Sequence, residues 1–242
     1  MCTVTYIPVN NSFFLTSNRD EKKVRLKAEQ PQWYKFASGH LLFPKDGNAG
    51  GTWMALHENG NAMVLLNGST VNHQYAPPYR KSRGLIFLDI LSEGKALVAF
   101  KKINLLGIEP FTLVIWESGQ LHECRWSGEE KYIREMDATQ PHIWSSVTLY
   151  TSEIIHKREQ WFADWLKKHP TPASNDILQF HLFGGDGDAE NDIRMNRNNS
   201  MYTVSVTNID WDRKSANILY EDIIHQEKHF SSISFVQEQP VS

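Results

Sequence analysis

Residues 1–21 read MCTVTYIPVNNSFFLTSNRDE, and the fold of the chain turns on how this stretch pairs with itself. Thr3–Ile7 has the β-branched and aromatic alternation of a half-buried strand. PVNNS follows with turn chemistry, and Phe13–Asn18 resumes a strand, so the stretch predicts an antiparallel hairpin. Closing it brings the second arm's end, Asn18–Glu21, to the sheet edge where Cys2 begins the chain.

The same pattern recurs further on. Thr52–His57 and Ala62–Asn67 flank the turn Glu58–Asn61, and FTLVIWE and QLHECRW flank Ser118–Gly119. IWSSVTLY, MYTVSVTNI and SANILYE read as later strands. Ser82–Gly94 has a helical start and stop, and KALVAFKKI predicts a second short helix. In SEIIHKREQWFADWLKKHP, Ile154, Ile155, Trp161, Phe162, Trp165 and Leu166 share one broad face. Ser174–Gly184 predicts a further short helix. Paired strands with helices grouped between them indicate a layered α+β fold, and the absence of a linker or repeat indicates one domain over 1–242. PKDGNAGG and GGDGDAENDIRMNRNNS read as mobile loops.

Composition narrows the function classes. The 242 residues are 40% hydrophobic, enough for a substantial core, and the net charge is −3 without a long run of one sign. Neither nucleic-acid binding nor anionic-membrane binding is expected, because phosphate neutralisation needs clustered Lys and Arg. No apolar run reaches the roughly 20 residues of a membrane span, and no secretory signal is visible. Two cysteines, Cys2 and Cys124, with no metal spacing point to free thiols, a cytoplasmic setting and no metal or other cofactor. GDGDAENDIRMNR has Asn191 and Arg197 where a calcium loop needs Gly and Glu, so no EF-hand is expected. Cys124 reads as a small buried residue, and His57, His73 and His142 as polar edge residues.

Cys2 is different because of its position. Removal of Met1 leaves a residue carrying both a thiol and a free α-amine, whose reference pKa is about 7.7–8.0. Such an amine can take the thiol proton directly or through one water, so one residue supplies base and nucleophile. A cation would favour the thiolate, a carboxylate would orient the ammonium, and amides would receive a developing oxyanion. Asn18, Arg19, Asp20 and Glu21 offer these groups, and Asn67 is a further amide at a strand end.

MCTV, NRDE at Asn18–Glu21, GGTW at Gly50–Trp53 and SRG at Ser82–Gly84 together resemble the NRDE family, that of the transport and Golgi organisation protein 2 domain. The resemblance covers essentially the whole chain. That family is similar to cysteine N-terminal-nucleophile hydrolases, which implies a four-layer αββα sandwich. It implies Cys2 as nucleophile, Arg19 as its cation, Asp20 as the carboxylate near the amine and Asn67 as an oxyanion donor. Two departures stand out. The carboxylates follow Arg19 at one and two positions, where the cysteine hydrolases have theirs at three, and adjacent strand residues face opposite ways, so the sequence leaves open which of Asp20 and Glu21, if either, faces the thiol. Ser146 stands in WSS where related sequences carry Asn. Trp53 and Arg197 are candidate binding residues.

The expected activity is hydrolysis of an amide or thioester of a small acyl substrate. The rival expectation is a non-catalytic carrier for haem, lipid or acyl-CoA on the same scaffold.

Overall fold

The computed structural model describes residues 3–235. The opening hairpin is present, with longer arms than the sequence suggested. β1 (Thr3–Val9) pairs antiparallel with β2 (Ser12–Lys22), in register from Thr3 opposite Asn18 to Val9 opposite Ser12. Asn10 turns the chain at φ 55°, a left-handed conformation that Asn tolerates. β2 continues beyond Asn18 because β12 (Met201–Trp211) pairs with its other side as far as Lys22. NRDE is therefore not the exposed tip of a hairpin. It lies inside a central strand.

Among the described residues there are two antiparallel sheets of seven strands. The first has the order β10 (His142–Ser145), β1, β2, β12, β13 (Ser215–Asp222), β14 (Glu227–Ser234), with β11 (Asn196–Arg197) on β12. The second is a meander: β3 (Glu29–Phe36), β4 (Gly39–Lys45), β5 (Met54–His57), β6 (Ala62–Asn67), β7 (Phe111–Glu117), β8 (Gln120–Trp126) and β9 (Lys131–Met136). The β7–β8 turn has Ser118 at φ 52° and Gly119 at φ 81°, the two-residue geometry that matches strand twist.

Strand alternation divides the core. Val4, Tyr6, Phe13 and Leu15 face the second sheet and join Leu42, Met54, Leu56 and Val64 in one cluster. Ile7 and Phe14 face the other way, under α3 (Ser152–Lys168) and α4 (Ser174–Phe183), against Phe162, Ile177 and Phe180. α1 (Arg83–Leu91) and α2 (Ala96–Lys102) cover the second sheet through β6 and β7. The layers run helix, sheet, sheet, helix, as the αββα expectation required.

The sequence reading missed β3, β4, β9 and β14, whose faces are mostly exposed or irregular in composition. Only the first three residues of IWSSVTLY fall in β10, and the rest turns into the Thr151 cap of α3. His57 is buried and not an edge residue; its Nε2 lies 3.0 Å from the Ser38 hydroxyl. PKDGNAGG is held in place by its own hydrogen bonds, from Gly50 N to the Asp46 carbonyl and from Asp46 N to that of Gly51.

Candidate active site

Four of the expected residues, Arg19, Glu21, Trp53 and Asn67, line one cavity of about 460 Å³. Two motifs meet at its wall. A Cβ on Gly51 would stand 2.4 Å from the Gly84 carbonyl carbon, so GGTW and SRG need glycine where their backbones touch. Ser82 caps α1 by accepting from Leu85 N.

Arg19 is almost completely buried and lies over Trp53, 4.5 Å from the ring centroid. It pairs with Asp46 and, at 3.3 Å, with Glu21. Asp46 also receives Arg25 Nη2 at 2.9 Å and the backbone N–H groups of Asn48 and Ala49. Burial alone would raise the Asp46 pKa; the Ala49 N–H, Arg19 and Arg25 outweigh it and hold the carboxyl below its ordinary value. Two arginines and two carboxylates thus form a quartet whose formal charges cancel.

Alternation sends Asn18 and Asp20 to the opposite, helix-covered face of β2. Asp20 accepts from the hydroxyls of Thr203 at 2.5 Å and Tyr150 at 3.1 Å. The Asn18 amide donates to the carbonyls of His181 and Ile193, at 3.0 and 2.9 Å. Arg158, wholly buried, donates to the Thr3 hydroxyl at 2.5 Å and stacks 3.6 Å from the Tyr150 ring centroid. Arg197 flanks the same ring at 5.2 Å and donates to the Leu149 carbonyl, so it serves this face and does not line the cavity.

Thr3 pairs with Asn18 on one side and Ser145 on the other. Next to Ser145, the Ser146 hydroxyl donates to the Asn67 carbonyl at 2.8 Å, tying the first sheet to the end of β6. The Asn67 carboxamide itself makes no hydrogen bond among the described residues and lines the cavity. Cys2 lies outside the described residues. The other cysteine, Cys124, is buried, and its thiol is pushed up to about 12, first by burial and then by Glu123.

Residues 1–233 match the sequence profile of the Transport and Golgi organisation 2 family. The chain belongs to this family. A comparison with curated proteins found no match. Among solved structures, the Caenorhabditis elegans ortholog of N-acylethanolamine-hydrolyzing acid amidase is similar at TM-score 0.58 and 11% identity, over 86% of this chain and 92% of that one. Two variants of the conjugated bile acid hydrolase from Clostridium perfringens match over 100% of both chains at 10% identity, with TM-scores of 0.58 and 0.61. At such identities the likeness establishes the fold of this Transport and Golgi organisation 2 chain, that of the N-terminal-nucleophile hydrolases.

Sequence reasoning missed Asp46, Arg25, Tyr150 and Arg158. Asp46 sits in a Gly-rich loop whose composition predicts mobility, although an Asp before Gly-Asn is the type of residue that accepts nearby backbone N–H groups. Arg158 falls four residues before Phe162, on the face read as apolar. A charge at helical spacing within an apolar stripe was the available signal.

Proposed function

We propose that this protein is a cysteine N-terminal-nucleophile hydrolase cleaving an amide or thioester of a small acyl compound, with Cys2 as nucleophile after loss of Met1. One observation carries the reading. Thr3, the residue after Cys2, is held between β2, which sends Arg19 and Glu21 to the cavity, and β10, which leads through Ser146 to Asn67.

The reading requires the Cys2 thiol to face the inter-sheet side. Its α-amine accepts the thiol proton, and the sulfur attacks the carbonyl carbon, driving the carbonyl π electrons onto oxygen. The Asn67 carboxamide donates to that oxyanion. Collapse expels the amine or thiol, which takes the proton from the α-ammonium and leaves a thioester. Water, losing a proton to the amine, then releases the acid and the free thiol. Arg19 favours the thiolate, with Glu21 and Asp46 moderating its charge. Asp20 holds Tyr150 and Thr203 beneath the start of β1. The cavity wall carries Arg19, Arg25, Lys81 and Arg83 with Glu21, Asp46 and Glu109, which suits a polar acyl substrate better than a wholly apolar lipid.

Intact mass of protein purified from its host, followed by labelling with a thiol-reactive acyl probe, tests the reading. The expected result is a chain lacking Met1 that labels once, with Cys2→Ala unlabelled. Retention of Met1, or equal labelling of Cys2→Ala, overturns it.

A further inference from the structure

Residues 22–27 read Lys-Lys-Val-Arg-Leu-Lys, cations interrupted by single apolar residues, and they leave β2 beside the cavity. Val24 is 86% exposed and Leu26 59% exposed, in a protein that otherwise buries most of its aliphatic side chains. Ile224, 47% exposed, joins them across a groove of about 390 Å³ that Lys22, Lys23, Arg25 and Lys27 also line. Lys23, Tyr202 and Ile224 continue into an adjoining depression with the exposed Arg194.

The loop is fixed and not frayed. Lys23 N donates to the Ser200 carbonyl at 3.0 Å, Leu26 N to Asn48 Oδ1 at 2.8 Å, and Arg25 to Asp46. The apolar tips are thus held outwards by the segment that positions Arg19. Lys27 is paired with Glu227 at 2.7 Å, and Asp222 is occupied by His225. Lys22, Lys23 and Arg194 form no ion pair among the described residues. The patch is therefore cationic although the chain carries −3.

We propose that this surface docks on an anionic phospholipid membrane. Three separate apolar tips are too few for the desolvated core of a stable protein interface, which buries about 800 Å² per partner. Apolar tips ringed by unpaired lysines and arginine match the lipid interface, where the tips enter the acyl boundary and the cations meet anionic headgroups. Arg19 and Arg25 line both this groove and the cavity, so the docking surface adjoins the cavity. The inference stands apart from the hydrolytic reading and from the identity of Cys2.

Co-sedimentation of the full chain with phosphatidylcholine vesicles, with and without phosphatidylserine, tests it. Binding is expected only to the anionic vesicles and is expected to weaken with added salt. Lys22→Glu and Lys23→Glu should each lower partitioning by at least about fivefold, since a near-surface cation contributes roughly that factor. Val24→Asp with Leu26→Asp should abolish it, while Lys168→Glu at the far end of α3 should cost far less. All changed side chains are exposed, and circular dichroism of each variant checks the fold. Absence of binding to anionic vesicles overturns the proposal, as does binding indifferent to Val24→Asp with Leu26→Asp. So does binding to single-stranded RNA but not to vesicles.

Discussion

Arg158, in the middle of α3, donates from Nη1 to the Thr3 hydroxyl at 2.5 Å, so the start of the first strand is held by a side chain 155 positions away. The same guanidinium donates to the carbonyls of Asn191 and Asp192. One buried cation thus ties β1, α3 and the loop before β11 together. Arg158→Met keeps the length and leaves three acceptors, one buried and two partly buried, without their donor. It is expected to lower unfolding free energy by about 3 kcal/mol. Urea denaturation monitored by tryptophan fluorescence measures this; an unchanged midpoint would contradict the role given to Arg158. Arg158→Lys keeps the charge but cannot reproduce the fork, so it should recover only part of the loss.

Asp20 and Glu21 are neighbours with opposite duties. Asp20 is buried and takes two hydroxyl donors, whereas Glu21 faces the cavity and shares Arg19. Asp20→Asn replaces one of its two acceptor oxygens with a donor that faces a hydroxyl, and should cost about 1–3 kcal/mol of stability. Glu21→Gln should change stability by less than about 1 kcal/mol while altering acyl-probe labelling. Reversed assignments, with Glu21→Gln the unstable variant, would show that the two faces of β2 had been exchanged.

Asp46 sets a pH dependence. Its pKa is held below the ordinary value of 3.8, so the unfolded chain takes up this proton at a higher pH than the folded chain. The contribution is fully present above 3.8 and is lost as pH falls through the folded value. Asp46→Asn should be destabilised at neutral pH by about 2–4 kcal/mol, because Arg19 loses its buried partner. Chemical denaturation of both proteins at falling pH should show the gap narrowing below 3.8, and a constant gap would refute the assignment.

The first β-hairpin, the 111–126 hairpin and the helices were legible because alternation, turn residues and caps are local signals. NRDE was legible as a cluster of chemistry but not as a central strand. Its continuation depends on β12, almost two hundred residues away, and no local pattern shows that pairing. The division of Arg19 from Asp20 followed from alternation once that strand was extended. Asp46 and Arg158 were hidden for a related reason: each is buried with partners elsewhere in the chain, and a charged residue's own identity gives no sign of burial.

His181 carries the last prediction. Its ring is wholly buried between Thr5, at 2.8 Å from Nε2, and Asn18 Oδ1, at 2.5 Å from Nδ1. The Asn18 amide nitrogen already donates to two carbonyls, so Oδ1 accepts and the His181 proton sits on Nδ1. Nε2 then accepts from the Thr5 hydroxyl, and the neutral ring is fully used. Burial first, and Arg158 second, push the His181 pKa down to about 3 from 6.5. Between these values the unfolded chain binds a proton that the folded chain does not. Stability should therefore fall with falling pH, at up to about 1.4 kcal/mol per pH unit from this group. His181→Gln loses some stability at neutral pH but has no proton to gain in the unfolded state. Its urea midpoint should decline less steeply than that of the wild type between about pH 6.5 and 4.5; parallel slopes would mean that His181 is not held neutral beneath the first strand.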